Sequence, residues 1–209
     1  MCKLDTSMKV VNIYSLNTSL VKDNYNFLLS FVDDERREKA LRYVNEKDRL
    51  LSLGAAFLMK KYLPKGELKK TSTGKPYLID GPFFNISHSG ECVVLAIDPV
   101  KEVGIDIERI DEKKIETIKY VLGEEKQNED DVNSLFRAWS NKESLIKCLS
   151  TSIQDIKIVK GFPLEGRRII NNETFYTKSM IIDGYSLSLT LKSDEPFNMN
   201  IKRVEKLED

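Results

Sequence analysis

The segment V-G-I-D-I-E, residues 103–108, leaves the chain few ways to fold around it. Apolar residues alternate with a glycine and two acids, so an extended backbone puts Asp106 and Glu108 on one face and Ile105 and Ile107 on the other. Further on, D-V-N-S-L-F-R-A-W-S-N-K-E-S-L-I-K, residues 131–147, has helical period, with an apolar stripe through Val132, Phe136, Trp139 and Ile146. Glu143 lies on that stripe. A carboxylate on an apolar helix face is costly unless it is protonated, paired or bound to a metal.

Simpler readings stand beside this one. A strand reading I-D-I-E can hold both acids in water, and Lys142 or Lys147 can neutralise Glu143 as an ordinary ion pair. Taken together, the two segments offer three oxygen donors with lysines close behind. That set suits Mg²⁺ shared with a substrate phosphate better than a closed all-protein cage.

Composition narrows the class. Thirty-three basic residues balance thirty-three acidic ones, so no global field draws the chain to nucleic acid or to an anionic membrane, and any anion site must be local. At 209 residues, 41% of them hydrophobic, the chain holds enough for a real core, in one large domain or two small ones. Cys2, Cys92 and Cys148 show no metal-ligand spacing, and their odd number argues against a full disulfide framework. No signal-like stretch opens the sequence and no apolar run is long enough to span a bilayer, so the expectation is a cytoplasmic protein with reduced thiols and no membrane anchor.

Along the chain, residues 8–16 read as a strand and residues 33–44 as a helix with acids in its first turn; a second, largely buried helix covers 48–63 and stops before Pro64. A turn-rich stretch from Lys69 to Pro82 leads into F-F-N-I-S-H-S-G and C-V-V-L-A-I-D, two strands of a hairpin. The polar turn 98–102 divides the chain into a lobe of residues 1–102 and a lobe of residues 103–209. The second lobe reads as the 103–110 strand, helical sequence at 112–122 and 130–149, then strands near 155–159, 167–170, 174–182 and 185–192. Helices set apart from a run of hairpin-like strands favour an α+β arrangement with antiparallel sheets.

Three further features carry chemistry. The lone histidine, His88, sits in N-I-S-H-S-G among hydroxyls and turn amides, where a protonated ring can donate to a phosphate. Lys75 follows a glycine and precedes Pro76 in a rigid turn that would aim it. Arg42, Lys47 and Arg49 cluster at a helix boundary, either as surface charge or as a cradle for a terminal phosphate.

In this order and spacing, G-K-P (74–76), F-N-I-S-H-S-G (84–90), V-G-I-D-I-E (103–108) and F-R-A-W-S-N-K-E-S-L-I-K (136–147) resemble the 4'-phosphopantetheinyl transferases of the larger, surfactin-synthetase-activating type. E-R-R-E-K-A-L-R-Y and D-R-L-L-S, near residues 35–52, extend the likeness more loosely, and the last sixty residues carry no matching motif. The resemblance implies a pseudo-dimer of two similar α/β lobes with a cleft between them, coenzyme A as donor substrate, Mg²⁺ as cofactor, and an apo acyl or peptidyl carrier protein as acceptor. Phosphopantetheine would pass to a carrier serine with release of 3',5'-ADP. By position, Asp106, Glu108 and Glu143 match the metal ligands of that family. Ser87, His88, Lys142 and Lys147 match residues around the pyrophosphate, and Lys75, Pro76, Arg42, Lys47 and Arg49 fall nearer the adenosine and its 3'-phosphate. The resemblance implies catalytic roles for Glu143, Lys147 and Glu125, with the serine proton passing to Glu125 or to water held near the metal; Val121 replaces the aromatic residue usual before Glu125.

Two other readings remain at this point: another Mg²⁺-dependent phosphotransferase, and a catalytically silent module that binds a carrier protein or coenzyme A. The chain has no GxxxxGK[ST] loop, and it retains every matched ligand and lysine. Two lobes in one chain complete a cleft internally, so a monomer is expected.

Overall fold

The computed structural model describes residues 8–123, 130–151 and 165–207. The chain opens with β1 (Lys9–Asn17), followed by two short helices, α1 (Thr18–Asp23) and α2 (Tyr25–Phe31), and then α3 (Asp34–Leu41) and α4 (Glu46–Tyr62). A small hairpin of β2 (Leu68–Lys70) and β3 (Pro76–Leu78) precedes a larger one of β4 (Phe83–Ser89) and β5 (Cys92–Asp98). β6 (Val103–Arg109), a 3₁₀ turn at Glu112–Lys114, α5 (Ile115–Leu122) and α6 (Val132–Leu149) come next. β7 (Gly166–Ile170), β8 (Glu173–Ile182), β9 (Tyr185–Leu191) and β10 (Phe197–Arg203) finish the described chain. The class is α+β with mainly antiparallel sheets; the strand expected at 155–159 lies outside the described residues.

Two four-stranded sheets form the middle of the molecule. The first has the order β10-β1-β5-β4 and the second β6-β9-β8-β7. All pairings within them are antiparallel except β1 with β10. The last strand thus returns from the second half of the sequence to complete the sheet of the first, with Ile13 opposite Ile201. Its alternation of Phe197, Met199 and Ile201 with Asn198, Asn200 and Lys202 is the period-2 pattern of a strand with one buried face.

Strand alternation sorts the side chains into layers. Val11, Ile13, Val94 and Ala96 of the first sheet meet Ile105, Ile107, Leu187 and Leu189 of the second in one apolar core. The opposite face of the first sheet, with Leu16, Phe84, Val93 and Leu95, packs on α4 through Leu53, Phe57 and Leu58. That helix begins at Asn45, whose side chain accepts from the Lys47 amide at 2.8 Å, carries Glu46 and Asp48 in its first turn and lysines in its last, and stops before Pro64. The layers run helices, sheet, sheet, helix, with α6 on the outer face of the second sheet.

α6 meets that sheet through polar residues. Its apolar stripe, with Leu135, Phe136 and Trp139, packs against Ile118 and Leu122 of α5. Toward the sheet it turns Ser140, whose Oγ lies 2.7 Å from both Ser186 Oγ and Ser188 Oγ, and Ser144, 2.8 Å from Thr190 Oγ1. These small hydroxyls satisfy one another while letting the helix lie close. Gly104 makes the closest approach possible: a Cβ there would stand 2.0 Å from Ser144 O and 2.4 Å from Cys148 N. The glycine of V-G-I-D-I-E therefore seats the helix carrying Glu143 and Lys147 directly over the strand carrying Asp106 and Glu108.

Candidate active site

Asp106 and Glu108 face α6, as their alternation with Ile105 and Ile107 predicts. Asp106 is 3% exposed, and its Oδ1 accepts from Lys147 Nζ at 2.6 Å and Ser87 Oγ at 3.0 Å. Lys147 Nζ also donates to Ser87 Oγ at 2.9 Å, so the three form a closed triangle spanning β4, β6 and α6. Glu108 Oε2 accepts from Ser89 Oγ and from Lys114 Nζ, each at 2.9 Å. Asp106 Oδ2 and Glu143 Oε1 are buried with no hydrogen-bond partner among the described residues.

The electrostatics follow from that burial. Desolvation, opposed by the Lys147 ammonium, raises the Asp106 carboxyl above the usual carboxylate range. Burial, reinforced by the Asp106 charge and opposed by Lys147, pushes Glu143 up to about 7. Two orphaned carboxylate oxygens, with the Asp106 charge raising the Glu143 pKa, are short of positive charge. One lysine already spent on Oδ1 of Asp106 does not remedy this.

These oxygens fit a hard divalent cation in donor chemistry. The set is open: among the described residues no three acid, histidine or cysteine side chains close around one point. Two oxygens are free and Glu108 is already engaged through Oε2, so the remaining positions of such an ion belong to water or to a substrate. Lys142 is buried one residue before Glu143, about 100° around the helix, and it is Lys147 that brings an ammonium to Asp106. Glu125 lies outside the described residues.

β4 presents its other face to a second feature. Ile86 and His88 line a cavity of about 240 Å³ together with Arg36 and Lys39 of α3, Asp48 of α4 and Pro76. The His88 ring keeps access to solvent across this concave wall. The bulk around it, with Lys147 and Lys39, lowers its pKa against the opposing pull of Asp48. The ring is therefore biased toward its neutral form, and an arriving anion would pull the other way.

The basic residues picked out in the sequence distribute differently. Arg42 is exposed and pairs with Glu38 at 3.7 Å, Lys47 is exposed, and Arg49 buries an unpartnered Nε on α4. None of the three lines the His88 cavity, whereas Arg36 and Lys39 do. The signal for that pair was present: in D-E-R-R-E-K they stand three apart and share a helix face. Lys75 lies in its turn as expected, but its Nζ donates to Glu102 Oε2 at 3.2 Å and to Val103 O at 3.1 Å, tying the turn to the start of β6. Thr73 Oγ1 adds a 3.0 Å bond to Ser150 O at the end of α6. Pro76, next to this anchored turn, reaches the cavity.

The chain matches two family models, one described as 4'-phosphopantetheinyl transferase, N-terminal, over residues 19–100, and one as 4'-phosphopantetheinyl transferase superfamily, over residues 102–192. It is 39% identical over 140 residues to 4'-phosphopantetheinyl transferase gsp of Aneurinibacillus migulanus, covering 60% of this chain and 59% of that protein. Identity to 4'-phosphopantetheinyl transferase Sfp of Bacillus subtilis (strain 168) is 31% over 157 residues, covering 67% of this chain and 69% of that one. A vertebrate relative, the L-aminoadipate-semialdehyde dehydrogenase-phosphopantetheinyl transferase of Xenopus laevis, is 26% identical over 152 residues, 58% of this chain and 50% of its own.

Proposed function

This chain belongs to the 4'-phosphopantetheinyl transferase superfamily, and we propose that it moves phosphopantetheine from coenzyme A to a serine of an apo acyl or peptidyl carrier protein, with Mg²⁺ as cofactor and 3',5'-ADP as the leaving product. The observation that carries the chemistry is the pair of buried, unpartnered oxygens, Asp106 Oδ2 and Glu143 Oε1, beside the Lys147 ammonium. Asp106, Glu143 and Glu108 would hold the cation. When bound, it neutralises pyrophosphate charge and polarises the phosphorus toward attack.

The rest is the work of the chain's own side chains. Lys147 stands at the carboxylate end, held by Ser87 and Asp106, where its ammonium is placed to meet a pyrophosphate oxygen. His88, Arg36 and Lys39 line the cavity on the far side of β4 and supply donors for the remaining phosphates of coenzyme A. On this reading β4 turns donor-substrate contacts to one side and, through Ser87 and Ser89, holds the carboxylates of β6 on the other. The carrier serine needs no covalent enzyme intermediate, only in-line attack and a proton acceptor, a role the resemblance gives to Glu125. The reading includes a monomer acting in the cytoplasm, with the cleft at the division near residue 102. Among the described residues no helix is long and apolar enough to cross a membrane.

The test is intact-protein mass spectrometry of apo acyl and peptidyl carrier proteins after incubation with the chain, coenzyme A and Mg²⁺. A phosphopantetheine-sized gain that vanishes in EDTA is expected. No gain on any carrier, from a folded preparation that binds coenzyme A, would favour the silent binding module instead.

A further inference from the structure

The second sheet ends at β6, which pairs with β9 on one side only. An unpaired strand edge leaves amides that must find acceptors or water. Here they find side chains. Ile105 N donates to Asn85 Oδ1 at 2.9 Å, Ile107 N to Ser87 Oγ at 3.4 Å, and Arg109 N to Ser89 Oγ at 3.0 Å. Three alternate residues of β4 therefore act as rungs onto three alternate residues of β6, and the sheets join through side chains in place of a backbone ladder.

The rungs share this task and differ in a second one. Asn85 offers an acceptor to Ile105 and stands one rung away from the carboxylates. Ser87 is already part of the triangle with Asp106 and Lys147. Ser89 has a single hydroxyl proton, and because its oxygen accepts from the Arg109 amide, that proton is directed to Glu108 Oε2 at 2.9 Å. Lys114 Nζ approaches the same oxygen at 2.9 Å. With Oε2 held by two donors, Oε1 of Glu108 is the oxygen left for a ligand among the described contacts.

We propose that Ser89 is a positioning residue for Glu108: its hydroxyl locks the carboxylate so that the second oxygen is presented to the same cation as the free oxygens of Asp106 and Glu143. The inference rests on the divalent-cation reading above and assigns to the S-H-S-G motif a role other than anion contact. Its serines hold carboxylates while His88, between them, faces the cavity. Outer contacts of this kind restrict a metal ligand's rotamer, and their loss typically weakens metal affinity by about 10- to 100-fold.

The experiment titrates Mn²⁺ into the full chain without coenzyme A, following free Mn²⁺ by electron paramagnetic resonance, with melting temperature measured alongside. Ser89→Ala should weaken Mn²⁺ binding about 10-fold, with coenzyme A affinity in EDTA unchanged. Ser89→Thr keeps the hydroxyl and suits a strand, and should recover most of the loss. Asn85→Ala removes a rung without touching a carboxylate, so it should melt earlier and bind Mn²⁺ as the parent does. The proposal is overturned if Ser89→Ala binds Mn²⁺ like the parent, if Asn85→Ala loses as much affinity as Ser89→Ala, or if Thr fails to rescue. A parent protein that binds no Mn²⁺ overturns both this proposal and the metal reading, and that outcome is separate because it precedes any comparison of variants.

Discussion

If Glu143 is held in place for a cation, removing its charge should stabilise the metal-free protein. Burial pushes the Glu143 carboxyl up to about 7, against about 4.3 for a free glutamate, so its ionisation costs about 3.5 kcal/mol in full and about 1.5 kcal/mol after allowance for its partial exposure. The folded pKa is raised, so the stability gained by keeping Glu143 protonated is fully present below about pH 4.3 and is lost as the pH climbs through 7. Glu143→Gln does not titrate. In EDTA at pH 8 it should therefore melt above the parent by about 3–6 °C for a chain of this size, and the gap should shrink to about a third at pH 5 and close below about pH 4. With Mg²⁺ the gap narrows toward zero. At ten times its dissociation constant the ion stabilises the parent by about 1.4 kcal/mol, whereas the variant, missing a charged ligand, gains much less. Differential scanning fluorimetry at both pH values, with EDTA or MgCl₂, reads all four corners. A Glu143→Gln protein that melts at or below the parent at pH 8 in EDTA would refute the account of the site's electrostatics. An equal Mg²⁺ gain in both proteins would remove Glu143 from the ligand set.

Gly104→Ala drives a methyl into Ser144 O and Cys148 N, so α6 must lift from β6; urea unfolding should show a loss of about 3 kcal/mol or more, and a loss under 1 would mean the helix yields freely. Arg36→Ala and Lys39→Ala should each weaken coenzyme A binding by calorimetry about 10-fold, while Arg42→Ala and Lys47→Ala, on exposed side chains outside the cavity, leave it unchanged; the reverse pattern would give the ligand contact to Arg42 and Lys47. Desolvation pushes the Cys92 and Cys148 thiols up to about 11 and about 12, so native protein at pH 8 should protect both from a thiol reagent. Because those folded pKa values are raised, the stability they carry is present below about pH 8.5 and lost as the pH rises toward 11 and 12, which denaturant titrations at pH 8 and pH 10 would register as a lower midpoint at pH 10.

What could be read from the sequence was whatever repeats at a fixed local period. The alternation in V-G-I-D-I-E fixed which acids share a face, and the structure has Ile105 and Ile107 in the core with Asp106 turned to α6. The hairpin at S-G-E was visible because a two-residue turn calls for glycine at a positive φ, and Gly90 has φ +60°. The helices α1 and α2 are six and seven residues long, too short to show a period. The strand β10 had a clean alternation, but its parallel pairing with β1 depends on an encounter across almost the whole chain, which no local pattern encodes.

The polar half of the site was harder to read for a related reason. Serine on a helix normally signals a solvated face, so Ser140 and Ser144 gave no hint that they are fully buried against Ser186, Ser188 and Thr190. Their burial is possible only because each hydroxyl finds another from a strand far away in sequence, a match that alternation on β9 permits but does not announce. The same holds for Asn85, Ser87 and Ser89, whose spacing of two marked a strand face without saying that the face would cap another strand's amides. Arg36 and Lys39 differ in kind: they were legible as one helix face, but nothing local distinguished that face from the one carrying Arg42 until α4 and β4 closed the cavity around His88. Charge type and spacing therefore nominate the members of a site, and it is the packing of distant small residues, Gly104 and Ser144 above all, that decides which of them meet.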